Sequence, residues 1–163
     1  DYVGISQSQS TLKGPEFTLA AWVNVSDSAR IFATVLSDFW FIDNDHMYGY
    51  IFRKSGNGFA FSVRNGSGNI FPNAEIIFTS YFNKWTHVVG VFNGTNTILY
   101  VNGGFKDTKG GLYVPANATE IMIGYAHVNG GDSSFNKTID EVMIFNRSLS
   151  VDDVAALYNM DLS

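Results

Sequence analysis

The stretch TIDEVMIFNRSLSVDDVAALYN (Thr138–Asn159) joins a strand pattern to a helix signal, and this junction decides the fold. Its first half is rich in β-branched and large apolar residues and predicts a strand. In its second half Ser150 is a good helix N-cap, and Asp153 three residues later can complete a capping box. Leu149 and Val154 occupy the two positions of a hydrophobic staple. We therefore predict a final strand followed by a short terminal helix.

The same stretch places two carboxylates side by side, Asp140 and Glu141. Neighbouring side chains on a regular strand point to opposite faces, so these two cannot cooperate on one substrate. A glycosidase needs two carboxyl groups about 5–10 Å apart that face the same sugar. The pair therefore does not predict an enzyme.

The rest of the chain predicts an all-β domain. It contains 16 glycines, 14 phenylalanines and three prolines in 163 residues, a composition typical of short strands joined by tight turns. The predicted strand segments are 17–25, 31–41, a hairpin over 49–65, a second hairpin over 86–103, and the runs EIMIGYA and TIDEVMIFN. The segments 66–75 and 127–137 read as irregular. This spacing of strands favours a β-sandwich or barrel.

Charge and composition exclude several partners. The net charge of −5 and the scattered basic residues argue against nucleic acid. No apolar run reaches the roughly 18 residues that span a bilayer, so we expect no direct membrane insertion. The absence of cysteine rules out disulfides and cysteine-based zinc sites. The chain starts at Asp1 without a methionine, and we expect a domain cut from a larger surface protein that brings neighbouring domains of the same chain.

Six Asn-x-Ser/Thr sequons occur in the chain, more than its composition would give by chance. They lie at Asn24, Asn65, Asn93, Asn117, Asn136 and Asn146. Such sequons mark surface positions in secreted proteins. We therefore predict an extracellular or cell-surface glycoprotein.

Several segments resemble the laminin G-like domains of the concanavalin A-like lectin/glucanase superfamily. EFTLAAWVNVS (16–26) resembles their first core strand, and KWTHVVGVFNGTNTILYVNGGFKDT (84–108) resembles their central hairpin. IMIGYA and the closing stretch resemble their last strands and final helix, and DYVGI resembles the opening strand. The resemblance implies one laminin G-like domain over 1–163, a jelly-roll sandwich of two curved antiparallel sheets. It also implies ligand binding on the concave face or on the loops at its rim.

The resemblance bears on catalysis and on calcium. Glucanases of the superfamily carry Glu-x-Asp-x-x-Glu on a concave strand, and no glutamate of this chain begins that motif. Many family members hold a calcium ion near the sandwich edge, which implies Asp140 as a Ca²⁺ ligand together with Asp1 or residues upstream. The alternative is that Asp140 caps a turn or accepts backbone hydrogen bonds.

Two polar segments are candidates for ligand binding. SDFWFIDNDHMYGY (37–50) mixes aromatic rings with Asp, Asn and His, which suits a sugar because rings cover C–H groups and polar groups bind hydroxyls. Its candidate residues are Trp40, Asp43, Asp45, His46 and Tyr48. The loop AHVNGGDSSFN (126–136) adds Asn129 and Asp132. The alternatives are a polar turn between core strands for the first segment and a plain surface loop for the second.

These observations predict a non-catalytic recognition or adhesion module that binds carbohydrate and holds a structural calcium ion. Its partner would be a glycan or a cell-surface protein. The alternative is a structural or accessory module beside a catalytic domain. An enzyme in its own right is the third reading. His87 is predicted to be a structural hydrogen-bonding residue.

Overall fold

A computed structural model describes most of the chain. The described residues are 2–6, 14–26, 33–43, 46–56, 58–66, 73–77, 81–116, 120–126, 133–135 and 137–160, and the side chains of 39–43, 46, 73 and 76–77 are left undescribed. The strands are β1 Val3–Ser6, β2 Phe17–Asn24, β3 Thr34–Asp43, β4 His46–Ser55, β5 Gly58–Asn65, β6 Asn73–Ile77, β7 Trp85–Phe92, β8 Asn96–Val101, β9 Gly104–Gly110, β10 Glu120–Ile123 and β11 Thr138–Phe145. One helix, α1 Val151–Tyr158, follows them.

The strands form two antiparallel sheets that pack as a jelly-roll sandwich. One sheet has six strands in the order β1-β10-β3-β4-β5-β6, and the other has five in the order β11-β2-β7-β8-β9. The predicted all-β jelly roll with a short C-terminal helix is confirmed. Within the described ranges, no helix is long and apolar enough to cross a membrane.

The core lies between the two sheets, and β2 shows why this strand forms. Its alternating residues Phe17, Leu19, Ala21 and Val23 are all buried and belong to the main hydrophobic cluster. They face Tyr50, Phe52, Phe59 and Phe61 of the six-stranded sheet, all members of the same cluster. Strict alternation on a strand puts one face in the core, so the sequence pattern predicted this face correctly.

One edge of the sandwich closes where the outermost strands of the two sheets meet. The backbone N–H of Glu75 on β6 donates to Asp107 Oδ2 on β9 at 3.0 Å. Neither strand was predicted. The prediction of an irregular segment over 66–75 is wrong at its end, since β6 begins at Asn73.

Two short segments cover the outer face of the six-stranded sheet. Ser37 Oγ donates to the carbonyl of Tyr125 at 2.8 Å, and Ala126 packs with Met47 and Ile51 in a small buried cluster. The Thr34 N–H donates to the Ser133 carbonyl at 2.9 Å. The middle of this face is therefore covered by the chain itself.

The terminal helix forms as its sequence predicts. Asp153 N–H donates to Ser150 Oγ at 3.1 Å, and Ser150 N–H donates to Asp153 Oδ2 at 3.0 Å, so the capping box is complete. A hydrogen bond from Arg147, with those from Ser150, lowers the pKa of Asp153 to about 2. Leu149 and Val154 are both buried in one cluster on the outer face of the five-stranded sheet, as the staple requires.

Candidate functional site

The hairpin of β3 and β4 brings most of the first predicted segment together. In its register Trp40 lies opposite Tyr48, and Asp43 lies opposite His46. These four positions therefore share the end of one hairpin, as the sugar-site hypothesis requires. Asp45 lies outside the described residues.

The base of this hairpin belongs to the core. Asp38 and its cross-strand partner Tyr50 are fully buried, and the Tyr113 hydroxyl is buried beside them. Burial, followed by the nearby Asp38 carboxylate, raises the pKa of Tyr50 well above its usual value, and the same two causes raise the pKa of Tyr113. The segment thus divides: Tyr50 is a core aromatic, whereas Tyr48 is only half-buried.

The segment 111–116 crosses the hairpin at Gly49. The Gly49 N–H donates to the Val114 carbonyl at 3.0 Å, and the Val114 N–H donates to the Arg64 carbonyl at 2.8 Å. Leu112 and Val114 expose their side chains here. We call the surface formed by the end of the β3–β4 hairpin, Leu112 and Val114 the rim. No sequence pattern indicates Leu112 or Val114 as part of the rim, because contacts across the fold bring them there.

Tyr48 is fixed on the rim by the end of β5. It pairs with Asn65 across the strands, and its ring lies so close to Gly66 that a Cβ on that glycine would be 2.3 Å from the ring. Gly66 has a φ of +84°, which a glycine adopts without strain. The tyrosine ring therefore has a defined position, which favours recognition because less freedom is lost on binding.

The second predicted segment lies outside the described residues at Asn129 and Asp132. The residues that lead to it are described, and Ala126 packs beside Met47, the residue that follows His46. After the loop, Ser133 is buried, and its Oγ accepts the Ala126 N–H and donates to the Ala126 carbonyl, which closes the base of the loop. The loop therefore starts and ends on the outer face of the six-stranded sheet, next to the hairpin. Whether Asn129 and Asp132 bind a ligand stays a prediction.

The predicted calcium ligand Asp140 lies at an irregularity in β11. The strand register shifts between Asp140 and Met143, and Glu141 has a left-handed φ of 48°. Asp140 Oδ1 accepts the Glu141 N–H at 2.9 Å, and both carboxylates are exposed. The expected regular alternation of these two side chains is therefore wrong, because a bulge interrupts the strand.

The bulge shows Asp140 in its alternative role, as an acceptor of a backbone hydrogen bond. Across the described ranges, no three His, Cys, Asp or Glu side chains come close enough to hold a metal ion together. Asp1 lies outside those ranges. Calcium ligation by Asp140 and Asp1 remains a prediction, since calcium also accepts backbone carbonyl oxygens.

Four of the six sequons fall on described residues, and they differ in setting. Asn146 is exposed, whereas Asn24, Asn65 and Asn93 are half-buried. Asn93 Oδ1 accepts the Thr95 N–H and hydroxyl, both at 3.2 Å, within an exposed hairpin turn. Asn117 and Asn136 lie outside the described part of the chain. Glycosylation at all six stays a prediction.

His87 supports the fold by stacking. Its ring lies 5.3 Å from that of Trp22 and 6.0 Å from that of Tyr158 on α1, between centroids. Its backbone N–H donates to Asn102 Oδ1 at 2.9 Å, whereas the buried ring Nδ1 has no hydrogen-bond partner among the described residues. Burial lowers the pKa of His87 to about 4.

The buried His87 predicts a loss of stability in mild acid. Its folded pKa of about 4 lies below the ordinary value of 6.5, so the unfolded chain takes up the proton first. The contribution of His87 to the free energy of unfolding should be fully present above pH 6.5. It should fall by on the order of 2 kcal/mol as the pH drops to about 4. Urea unfolding at several pH values measures this, and His87→Phe, which keeps a stacking ring, should lose the slope over this window. An equal slope in both proteins would contradict the assignment.

A jelly roll of two antiparallel sheets with a rim built on one hairpin defines a lectin-like β-sandwich. A family model described as the concanavalin A-like lectin/glucanases superfamily, of laminin G type, matches residues 1–155. The chain belongs to this family. No curated protein matches it.

Similar solved structures come from botulinum neurotoxins. The serotype D binding domain superposes with a TM-score of 0.73 at 16% identity, covering 97% of this chain and 40% of that one. A serotype DC binding domain in complex with SialylT gives 0.68 at 17% identity, covering 97% and 39%. The same type of domain in complex with rat synaptotagmin II gives 0.69 at 18% identity, covering 97% and 39%. The chain thus spans about two fifths of these domains, and the likeness is one of fold.

Proposed function

We propose that this chain is a non-catalytic, extracellular recognition module that binds carbohydrate at the rim. The observation that supports this most directly is the β3–β4 register, which sets Trp40 opposite Tyr48 and Asp43 opposite His46 at the end of one hairpin. Aromatic rings beside carboxylate and imidazole groups are what a sugar needs, with ring faces for C–H groups and polar atoms for hydroxyls.

The family and the structural neighbours support the same reading. The similar toxin domains are described as binding domains, one in complex with SialylT and another with synaptotagmin II. Recognition of a glycan or of a cell-surface protein is therefore the natural proposal for this chain. The six sequons favour an extracellular location. The adjacent carboxylates of Asp140 and Glu141 lie on the opposite sheet from the rim, so they do not form a catalytic pair for a sugar bound at the rim.

A glycan array probed with the intact chain tests the proposal. We expect binding to at least one glycan, weakened about tenfold in Tyr48→Ala because one stacking ring is lost. Trp40→Ala and Asp45→Ala should weaken it too. Phe105→Ala removes an exposed ring from β9 on the other sheet and is the matched control that should bind normally. A blank array in the presence of calcium would favour the accessory-module alternative instead.

We also propose a structural calcium ion at Asp140. An ion bound only to the folded state raises the melting temperature by mass action, so a chelator should lower it by several degrees. Asp140→Asn keeps an oxygen that can accept the Glu141 N–H but removes the charge, and its melting temperature should not respond to chelator. An identical melting temperature of the wild-type protein with and without chelator would show that the folded chain binds no structural calcium ion.

A further inference from the structure

A second surface with sugar-binding chemistry lies on the outer face of the five-stranded sheet, far from the rim. In one row of the sheet Thr138, Asn24 and Trp85 are cross-strand neighbours. In the next row Asp140 lies beside Trp22. We call these five residues the Trp85 surface. They alternate with the core-facing residues of the same strands, so their side chains point away from the core.

Trp85 lies at one end of this surface, on β7. Its side chain is 46% exposed, and Thr138 and Asp140 are exposed at the other end, with Asn24 half-buried between them. Adjacent strands lie about 5 Å apart, so Asn24 is next to Trp85. Thr138 and Asp140 on β11 lie two strands, or about 10 Å, from it, a distance that an oligosaccharide of two or three rings spans. An indole face partly open to water amid hydrogen-bonding groups is a platform on which a sugar ring can stack.

The support beneath this surface is rigid. Trp22 stacks on Tyr158 of α1 with ring centroids 5.8 Å apart and planes at 26°. Tyr158 in turn lies against Gly103, where a Cβ would be 3.1 Å from its ring. Because the Trp22 ring is held by both a sheet and a helix, it loses little conformational freedom when a ligand binds.

The surrounding charges balance. Asp140 and Glu141 are exposed at one side, and Lys84 and Lys137, which adjoin Trp85 and Thr138 in sequence, are exposed as well. Two acidic and two basic side chains give the surface no preference for a charged ligand.

We propose that the Trp85 surface is a second carbohydrate site, specific for neutral saccharides. The indole face covers the C–H side of a sugar ring, and the Thr138 hydroxyl and the Asn24 amide, where Asn24 carries no glycan, donate and accept hydrogen bonds. This site lies on the opposite sheet from the rim, so it does not depend on the rim binding a sugar.

The test follows the Trp85 indole N–H by NMR while the intact chain is titrated with neutral oligosaccharides of glucose, mannose, galactose and N-acetylglucosamine. The protein is made in a host that does not glycosylate Asn24. We expect the Trp85 signal to shift to saturation with at least one of them, together with backbone signals of Asn24 and Thr138. In the variants the affinity is measured from the backbone signals of Asn24 and Thr138. It should fall about tenfold in Trp85→Ala and less in Trp85→Phe, which keeps a ring.

Two controls separate this site from the rim. Phe105→Ala removes a ring that is 55% exposed on β9 of the same sheet and should leave the titration unchanged, as should Tyr48→Ala. A Trp85 signal that moves with no saccharide overturns the proposal, as does one that responds only to a protein. So does an affinity that Tyr48→Ala abolishes, because the sugar would then bind at the rim. If Trp85→Ala lowers the melting temperature, the saccharide affinity of Trp85→Phe is the test, and an affinity equal to that of the wild-type protein for every saccharide would be expected only if the ring contributes equally in both.

Discussion

Gly49→Ala should destabilise the protein by at least about 3 kcal/mol, because this position tolerates no side chain. Its φ is +90°, and an added Cβ would lie 1.6 Å from the backbone oxygen of Asp38 and 2.9 Å from the Cβ of Ala116. The strands must therefore separate, which also strains the Gly49 N–H bond to Val114 at 3.0 Å. Urea unfolding measures the loss. Glycan binding at the rim should weaken as well, since the hairpin that carries Trp40 and Tyr48 is displaced.

Gly56→Ala is the matched control for this prediction. Gly56 lies in the turn between β4 and β5 with a φ of +53°, and nothing lies within 4 Å of an added Cβ. It should therefore cost only the backbone term, about 1 kcal/mol. Equal losses in the two variants would mean that the crowding at Asp38 is relieved without cost, and the proposed fixed base of the hairpin would be wrong.

The sequence predicts the strands that carry a buried apolar face. The inner residues of β2, such as Leu19, are fully buried, and β7 is buried on both faces from Thr86 to Phe92. β9 (GFKDTKG) escapes prediction because it is mostly polar and none of its residues is buried, whereas β11, which also lies at a sheet edge, was predicted from its apolar residues. β6 escapes because it is only 5 residues long.

The helix end was predictable for a different reason. Its capping box and staple are local, so Ser150, Asp153, Leu149 and Val154 lie within a few residues of one another and interact as the spacing indicates. The bulge at Glu141 is also local, yet the residue types there give no sign of a left-handed φ of 48°. The strand pattern therefore predicted the element correctly and gave no sign of the bulge within it.

The candidate site was predictable in part. One hairpin supplies Trp40, Asp43, His46 and Tyr48, so their proximity follows from strand pairing alone. The same segment sends Asp38 and Tyr50 into the core, which depends on the position of the opposite sheet. The contact of Val114 with Gly49 joins residues 65 positions apart, and no periodicity reports such contacts.

Phe61→Ala should destabilise the protein by about 3–5 kcal/mol. The Phe61 side chain is fully buried, and its ring lies 5.7 Å from that of Phe52 and 6.2 Å from that of Phe17, which belongs to the opposite sheet. Its removal leaves a cavity between the sheets that neither rigid sheet can close. Urea unfolding measures the effect, with Phe105→Ala, which truncates an exposed ring, as the control that should change stability little.

Gly90 explains why this ring fits, and it gives the sharper test. An added Cβ at Gly90 on β7 would lie 2.6 Å from the Phe61 ring, so Gly90→Ala alone should cost about 1–3 kcal/mol by overpacking. In a Phe61→Ala background the same substitution enters the cavity and should cost nothing or restore some stability. A double-mutant cycle should thus give a coupling of at least about 1 kcal/mol between the two positions. The Phe61 ring of one sheet occupies the space that a side chain at Gly90 of the other sheet would take. Additive losses in free energy of unfolding would mean that the two positions do not share this space.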